Sequence, residues 1–170
     1  MFLIDRKSSF CYNYRKIFQR GVTVLEHYIK TFAELDTREL YAILKARSEV
    51  FVVEQNCVYQ DLDGIDLDAL HLYTLDGGEL TAYLRVFMQN GSTKTARLGR
   101  VLTVKRGCGL GLDLTLRGIR AAKEIFGARE ICIEAQVYAI GFYEKAGFRV
   151  CSEEFLEDGI PHVKMILPLD

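Results

Sequence analysis

The string GRVLTVKRGCGLGLDL, Gly99 to Leu114, constrains this chain more than any other feature. An apolar β-type run reaches Val104, glycines take the alternate positions 107, 109 and 111, and an apolar helical pattern follows. Glycine loses more conformational freedom on folding than any other residue, so three in alternation mark a loop whose main chain must come close to something. A helix N-terminus carries unpaired N–H groups and the positive end of the helix dipole, and the partner best suited to it is an anion, above all a phosphate. Two familiar phosphate codes do not fit. Gly111 is followed by Leu112 and Asp113 rather than by Lys and Ser or Thr, and G-x-G-x-G is not the G-x-G-x-x-G of a dinucleotide turn.

Periodicity on either side of the loop sets the architecture. Residues 22–32 alternate like a half-buried strand, and Asp36 or Thr37 then caps an amphipathic helix running through TRELYAILKARSEVFVVEQ. The next run, NCVYQDLDGIDLDALH, is acidic. Leu72 stands where a calcium loop started at Asp61 needs its bidentate carboxylate, so the run reads as a solvated acidic loop or as a short helix that helps shape a pocket. LHLYTLD, ELTAYLRVFM and TARLGRVLTV form an antiparallel meander that turns at Asp76-Gly77-Gly78 and at Asn90-Gly91. A helix from Leu110 stops at Gly127, REICIEAQV reads as a buried strand, and YAIGFYEKA as a short helix stopped by Gly147. FRVCSEEF and HVKMILPL then close the chain as two strands around Glu157-Asp158-Gly159. The pattern predicts one α/β domain over residues 21–170, a mixed, mostly antiparallel sheet flanked by helices, behind a basic extension at 1–20.

At 170 residues there is room for one real core. A net charge of −1 gives no electrostatic reason to expect nucleic acid or membrane as partner; only the arginines and lysines between Arg6 and Arg20 argue otherwise. No apolar run approaches the ~18 residues that span a bilayer, and the first twenty residues lack the apolar core of a signal peptide. A cytoplasmic protein with a small ligand is expected. Its five cysteines form no C-x-x-C pair, so no metal site is expected.

Between strand and helix, Arg106, Gly107, Cys108, Gly109, Leu110 and Gly111 fill the pattern R-x-x-G-x-G, and Phe142-Tyr143-Glu144-Lys145-Ala146-Gly147-Phe148 follows further on. Together these resemble the pyrophosphate loop and the F/L-Y-E-K-x-G-F segment of the GNAT superfamily of acyl-CoA-dependent N-acetyltransferases. ELYAILKARSEVFVVEQNC, YQDLDG, GRV, EAQ and EDGIPH narrow the resemblance to its ElaA-type subgroup. Two departures stand out: the linker from Val101 to Arg106 is short for the family, and Gln136 occupies a position where many members carry asparagine.

The resemblance implies acetyl-CoA as co-substrate, held by residues 106–111, by strand backbone at Val101 and Thr103, and by the Gln136 amide. It implies fourth and fifth strands that splay apart to admit that molecule, and it admits a homodimer. Helical spacing turns Tyr143 away from the face of Phe142, as needed if Phe142 packs and Tyr143 faces a site; the resemblance makes Tyr143 the proton donor to the leaving thiolate. The acceptor is then a primary amine of a small molecule or peptide, attacking directly. An ammonium cannot attack, so a proton acceptor is needed; the candidates are Glu54, His71, Glu134 and His162, with Glu54 and Glu134 foremost and with His71 and Glu54 at the acceptor end. The rival reading is a non-catalytic acyl-CoA-binding module.

Overall fold

The computed structural model describes residues 14–16 and 25–169. Within the basic extension the short strand β1 (Tyr14–Lys16) pairs antiparallel with β2 (Leu25–Thr31) at the sheet edge; the rest of that extension lies outside the described residues. Helix α1 (Thr37–Arg47) starts at Asp36, whose carboxylate accepts the N–H groups of Arg38 and Glu39, each at 2.8 Å, while Glu39 accepts the Asp36 N–H. The meander follows as β3 (Leu70–Asp76), β4 (Glu79–Met88) and β5 (Thr95–Thr103). Helix α2 (Leu110–Glu124) crosses to β6 (Glu130–Gln136), which runs parallel to β5. Helix α3 (Ile140–Lys145) leads to β7 (Arg149–Val150), β8 (Phe155–Glu157) and β9 (Ile160–Pro168). The sheet order is β1-β2-β3-β4-β5-β6-β9-β7, with β8 also on β9 and every described pairing but β5–β6 antiparallel.

Two local expectations need correction. The strand expected over FRVCSEEF is broken: β7 ends at Val150 and β8 starts only at Phe155, with Ser152 Oγ between them accepting the Lys164 N–H at 2.8 Å. The helix through Val53 does not stay α-helical: from Ser48 to Glu54 it widens into π-helix. No described helix is long and apolar enough to cross a membrane.

Apolar side chains fill both faces of the sheet. Leu72, Leu84, Val86, Leu98, Leu114, Ile131 and Ile133 share one cluster beneath α2, whereas Ile43, Ala46, Tyr73, Tyr83 and Leu102 share another beneath α1. Neighbours on β3 and β4 take opposite faces, as strand alternation requires. On β5, Leu98 and Leu102 also take opposite faces although an even step separates them. The cause is a bulge: Arg85 pairs with Gly99 but Tyr83 with Leu102, and Arg100 between them adopts φ +53°.

The acidic run holds a short helix at Ile65–Asp68 and is solvated only in part: Asp63 and Asp68 are exposed, but Asp61, Asp63 and Asp66 are ion-paired. Arg47, fully buried, donates from Nε to Asp61 Oδ2 at 2.9 Å and from Nη1 to Asp66 Oδ1 at 2.8 Å. Arg85 donates to Asp63 at 2.5 and 2.8 Å and to Asp66 at 2.9 Å, and Arg100 donates to Asp61 at 2.6 Å. The loop is thus turned inside out, with Asp66 buried and Leu62 and Leu67 in solvent. Burial alone would raise these carboxyls, but the guanidiniums outweigh it, lowering Asp61 and holding Asp63 down at about 2.

Asp66→Ala removes an acceptor shared by two buried guanidiniums and is expected to cost about 3–5 kcal/mol in urea unfolding. Because Asp61 and Asp63 have lowered folded-state pKa values, their stabilisation is complete above the ordinary carboxylate range near pH 4 and is lost as pH falls toward about 2. Far-UV circular dichroism between pH 5 and 2 reads that loss directly.

Candidate functional site

Strands β5 and β6 pair over three rungs, Thr95 with Glu130, Ala96 with Ile131 and Arg97 with Cys132, and then part. This is the expected splay; β1 raises the strand count by one. On the β5 side the Val104 N–H donates to Thr81 O at 2.8 Å, toward β4. Alternation therefore turns the main-chain groups of Val101 and Thr103 the other way, into the gap.

At the wide end of the gap lies the glycine loop, exposed from Val104 to Gly109. Its glycines serve two purposes. Gly107 and Gly109 adopt φ of +80° and +76° with open space where a Cβ would be, so left-handed backbone is what they supply. A Cβ on Gly111 would sit 3.2 Å from Thr103 Cγ2 and 3.4 Å from the Phe142 ring, so this glycine lets the first turn of α2 lie against β5 and α3. Gly109 caps α2 without a side-chain hydrogen bond, which leaves the amides at Leu110 and Gly111 for a ligand. Cys108 is exposed, its Sγ 3.7 Å from Arg106 O, and Arg106 is ion-paired with Glu54.

The two faces of the gap differ in chemistry. On β6, Ile131, Ile133 and Ala135 point into the α2-side core, and Glu134 and Gln136 point the opposite way. Glu134 binds Arg97 at 2.5 Å, at the fork where the strands divide. The Gln136 and Gln55 amides face each other at 3.3 and 3.5 Å, so the end of the π-helical segment brings Glu54 and Gln55 over this face. Tyr143 lies on the α2 side. Its half-buried ring is edge-on to Phe142 and Phe148, with centroids 4.9 and 5.9 Å away. Burial pushes its phenol well above the ordinary tyrosine range.

His71, expected at the acceptor end, has both ring nitrogens engaged in the interior. Buried in β3, it bonds Tyr83 Oη through Nδ1 at 2.9 Å and Asp66 O through Nε2 at 3.0 Å, and desolvation lowers its pKa. Nε2 thus braces the acidic loop, and Nδ1 ties the ring to β4. Arg47, Arg85 and Arg100 were the residues that sequence patterns left unassigned. A usable signal was present, since Arg85 interrupts the apolar strand ELTAYLRVFM, and a cation buried there must be paired. Among the described residues no three His, Cys, Asp or Glu side chains gather as metal ligands.

A family model described as an acetyltransferase (GNAT) domain matches residues 33–169. The UPF0039 protein of Schizosaccharomyces pombe is 41% identical over 149 residues, covering 85% of this chain and 98% of that protein. Among solved structures, an acyl-CoA N-acyltransferase from Pseudomonas aeruginosa aligns with a TM-score of 0.77 at 40% identity. Escherichia coli ElaA aligns with a TM-score of 0.78 at 34% identity; each alignment covers 84% of this chain and 98% of the other.

The packing at Gly111 is testable without any ligand. Gly111→Val drives added carbons into Thr103 and Phe142 and is expected to destabilise the fold by about 1–3 kcal/mol in urea unfolding. Cys108→Ser, exposed in the same loop, stays within about 0.5 kcal/mol of the parent.

Proposed function

Since the chain belongs to the GNAT acetyltransferase family, matched over residues 33–169, we propose that it is a cytoplasmic enzyme moving an acetyl group from acetyl-CoA to a primary amine of a small molecule or peptide. The observation that carries this reading is the gap between β5 and β6, with an uncapped helix N-terminus and glycine loop at one end and Tyr143 beside it. The amides of residues 107–111 and the Arg106 guanidinium hold the diphosphate, which competes with Glu54 for that guanidinium. The main chain at Val101 and Thr103 and the Gln136 amide flank the pantetheine arm.

The acceptor enters on the face of Glu134 and Glu54, opposite Tyr143. Its nitrogen attacks the thioester carbon, a main-chain N–H on β5 stabilises the charge developing on the carbonyl oxygen, and the C–S bond breaks. The proton lost by the amine passes to a carboxylate, Glu134 or Glu54, through water. Tyr143 is protonated at neutral pH, as any tyrosine is, and the apolar surroundings that raise its pKa also penalise the departing thiolate, so the phenol donates its hydrogen where negative charge appears. The acid and the candidate bases stand on opposite sides of the reacting carbonyl.

A screen of amines and peptides for thiol release from acetyl-CoA identifies the acceptor. With that acceptor, Tyr143→Phe is expected to lower kcat about 100-fold while the acetyl-CoA dissociation constant changes less than about threefold. Equal losses in both would make Tyr143 a packing residue and favour a non-catalytic acyl-CoA-binding module.

A further inference from the structure

Arg100 is a cation that the mechanism above does not use, in a backbone conformation that side-chain-bearing residues avoid. It is held from several directions. Nε donates to Asp61 Oδ1 at 2.6 Å, and Nη2 donates to Asp61 O at 3.2 Å and to Asp63 Oδ2 at 3.5 Å. The guanidinium carbon lies 5.3 Å from the centre of the Tyr59 ring and 6.0 Å from that of Phe51. Phe51 comes from the π-helical segment, Tyr59, Asp61 and Asp63 from the acidic loop, and Arg100 from the β5 bulge. Two neighbouring stretches and a third some forty residues on in sequence therefore meet on one side chain. Asp61 and Asp63 are themselves anchored by Arg47 and Arg85, so the grip on Arg100 is rigid at its far end.

We infer that Arg100 is a positioning residue: gripped by the acidic loop and two aromatic rings, it holds the β5 bulge in place and so aims the Val101 main-chain N–H into the gap. The inference rests on the acyl-CoA reading and deepens it, naming what keeps the carbonyl-polarising donor in place. The next residue, Leu102, is already in register with Tyr83 and faces β4. A bulge free to slide along β4 would move that register and swing Val101 out of the gap. The grip affects the thioester end alone, because the diphosphate binds at residues 106–111, beyond the end of β5.

Calorimetric titration of the full chain with CoA and, separately, with acetyl-CoA provides the test, on the parent, Arg100→Ala and Arg100→Gly. The parent is expected to favour acetyl-CoA over CoA roughly fivefold, the worth of one hydrogen bond to the carbonyl. Arg100→Ala abolishes that preference with CoA affinity unchanged within about twofold, and it lowers kcat about 10- to 100-fold. Arg100→Gly, which reaches φ +53° without strain, recovers the preference in part. An alanine variant that retains both preference and kcat overturns the inference, as does a glycine variant worse than alanine. Equal weakening of CoA and acetyl-CoA would make the side chain merely structural and also overturns it. A parent that gives no heat with either ligand sinks the acyl-CoA reading and the inference together. A parent that binds both but acetylates no amine sinks only the enzymatic reading, since the affinity ratio still decides the role of Arg100.

Discussion

Three guanidinium groups and three carboxylates meet on the α1 side of the sheet, and the arrangement around the gap depends on their pairing. Taking any of these ions out of water alone is prohibitively unfavourable, and the mutual attraction offsets that penalty only when geometry is good and the remaining donors are satisfied. Arg47 meets this condition with three bonds to Asp61 and Asp66, fully out of solvent. Apolar contacts are tolerant of small slides. Ion pairs with fixed hydrogen-bond directions are not, so the end of α1, the acidic loop, β4 and β5 are held in one relation to one another.

That relation divides the labour of the site. The α2 side of the sheet supplies the glycine loop and the aromatic pocket of Tyr143, and the α1 side supplies polar groups: Glu54, Gln55, Glu134 and Gln136. The parting of β5 and β6 after Arg97 and Cys132 is where the two sides communicate. Gly111 sets how near α2 comes to that opening, and Gly107 and Gly109 set how the chain turns into it.

What could be read from the sequence was local. Alternation gave the meander, paired turn residues gave its hairpins, and helical spacing with Gly127 and Gly147 gave the extents of α2 and α3. The glycine string and the Phe142–Phe148 segment were visible because their residues adjoin in the chain. What escaped was non-local. The guanidinium partners of Asp61 lie 14 and 39 residues away at Arg47 and Arg100, and no periodicity within the acidic run signals them. The same holds for His71, whose two partners, Tyr83 and the Asp66 carbonyl, make it a bracing element in the interior. The π-helical turn after Arg47 and the bulge at Arg100 are single-residue changes of register, and TARLGRVLTV reads as one regular strand until pairing with β4 exposes the extra residue.

The odd residue in β5 also bears on how such a chain can drift over generations. Exchanging one side chain for another in this strand perturbs contacts one at a time, whereas losing or gaining a residue between Arg97 and Leu102 would turn one end of the strand over, driving residues shaped for the α1-side core into the α2-side core and the reverse. Homologous chains should therefore vary here in spelling but not in length, with insertions and deletions displaced to the exposed hairpin tip at Asn90 and Gly91, where an added residue leaves the pairing of the two strands unchanged.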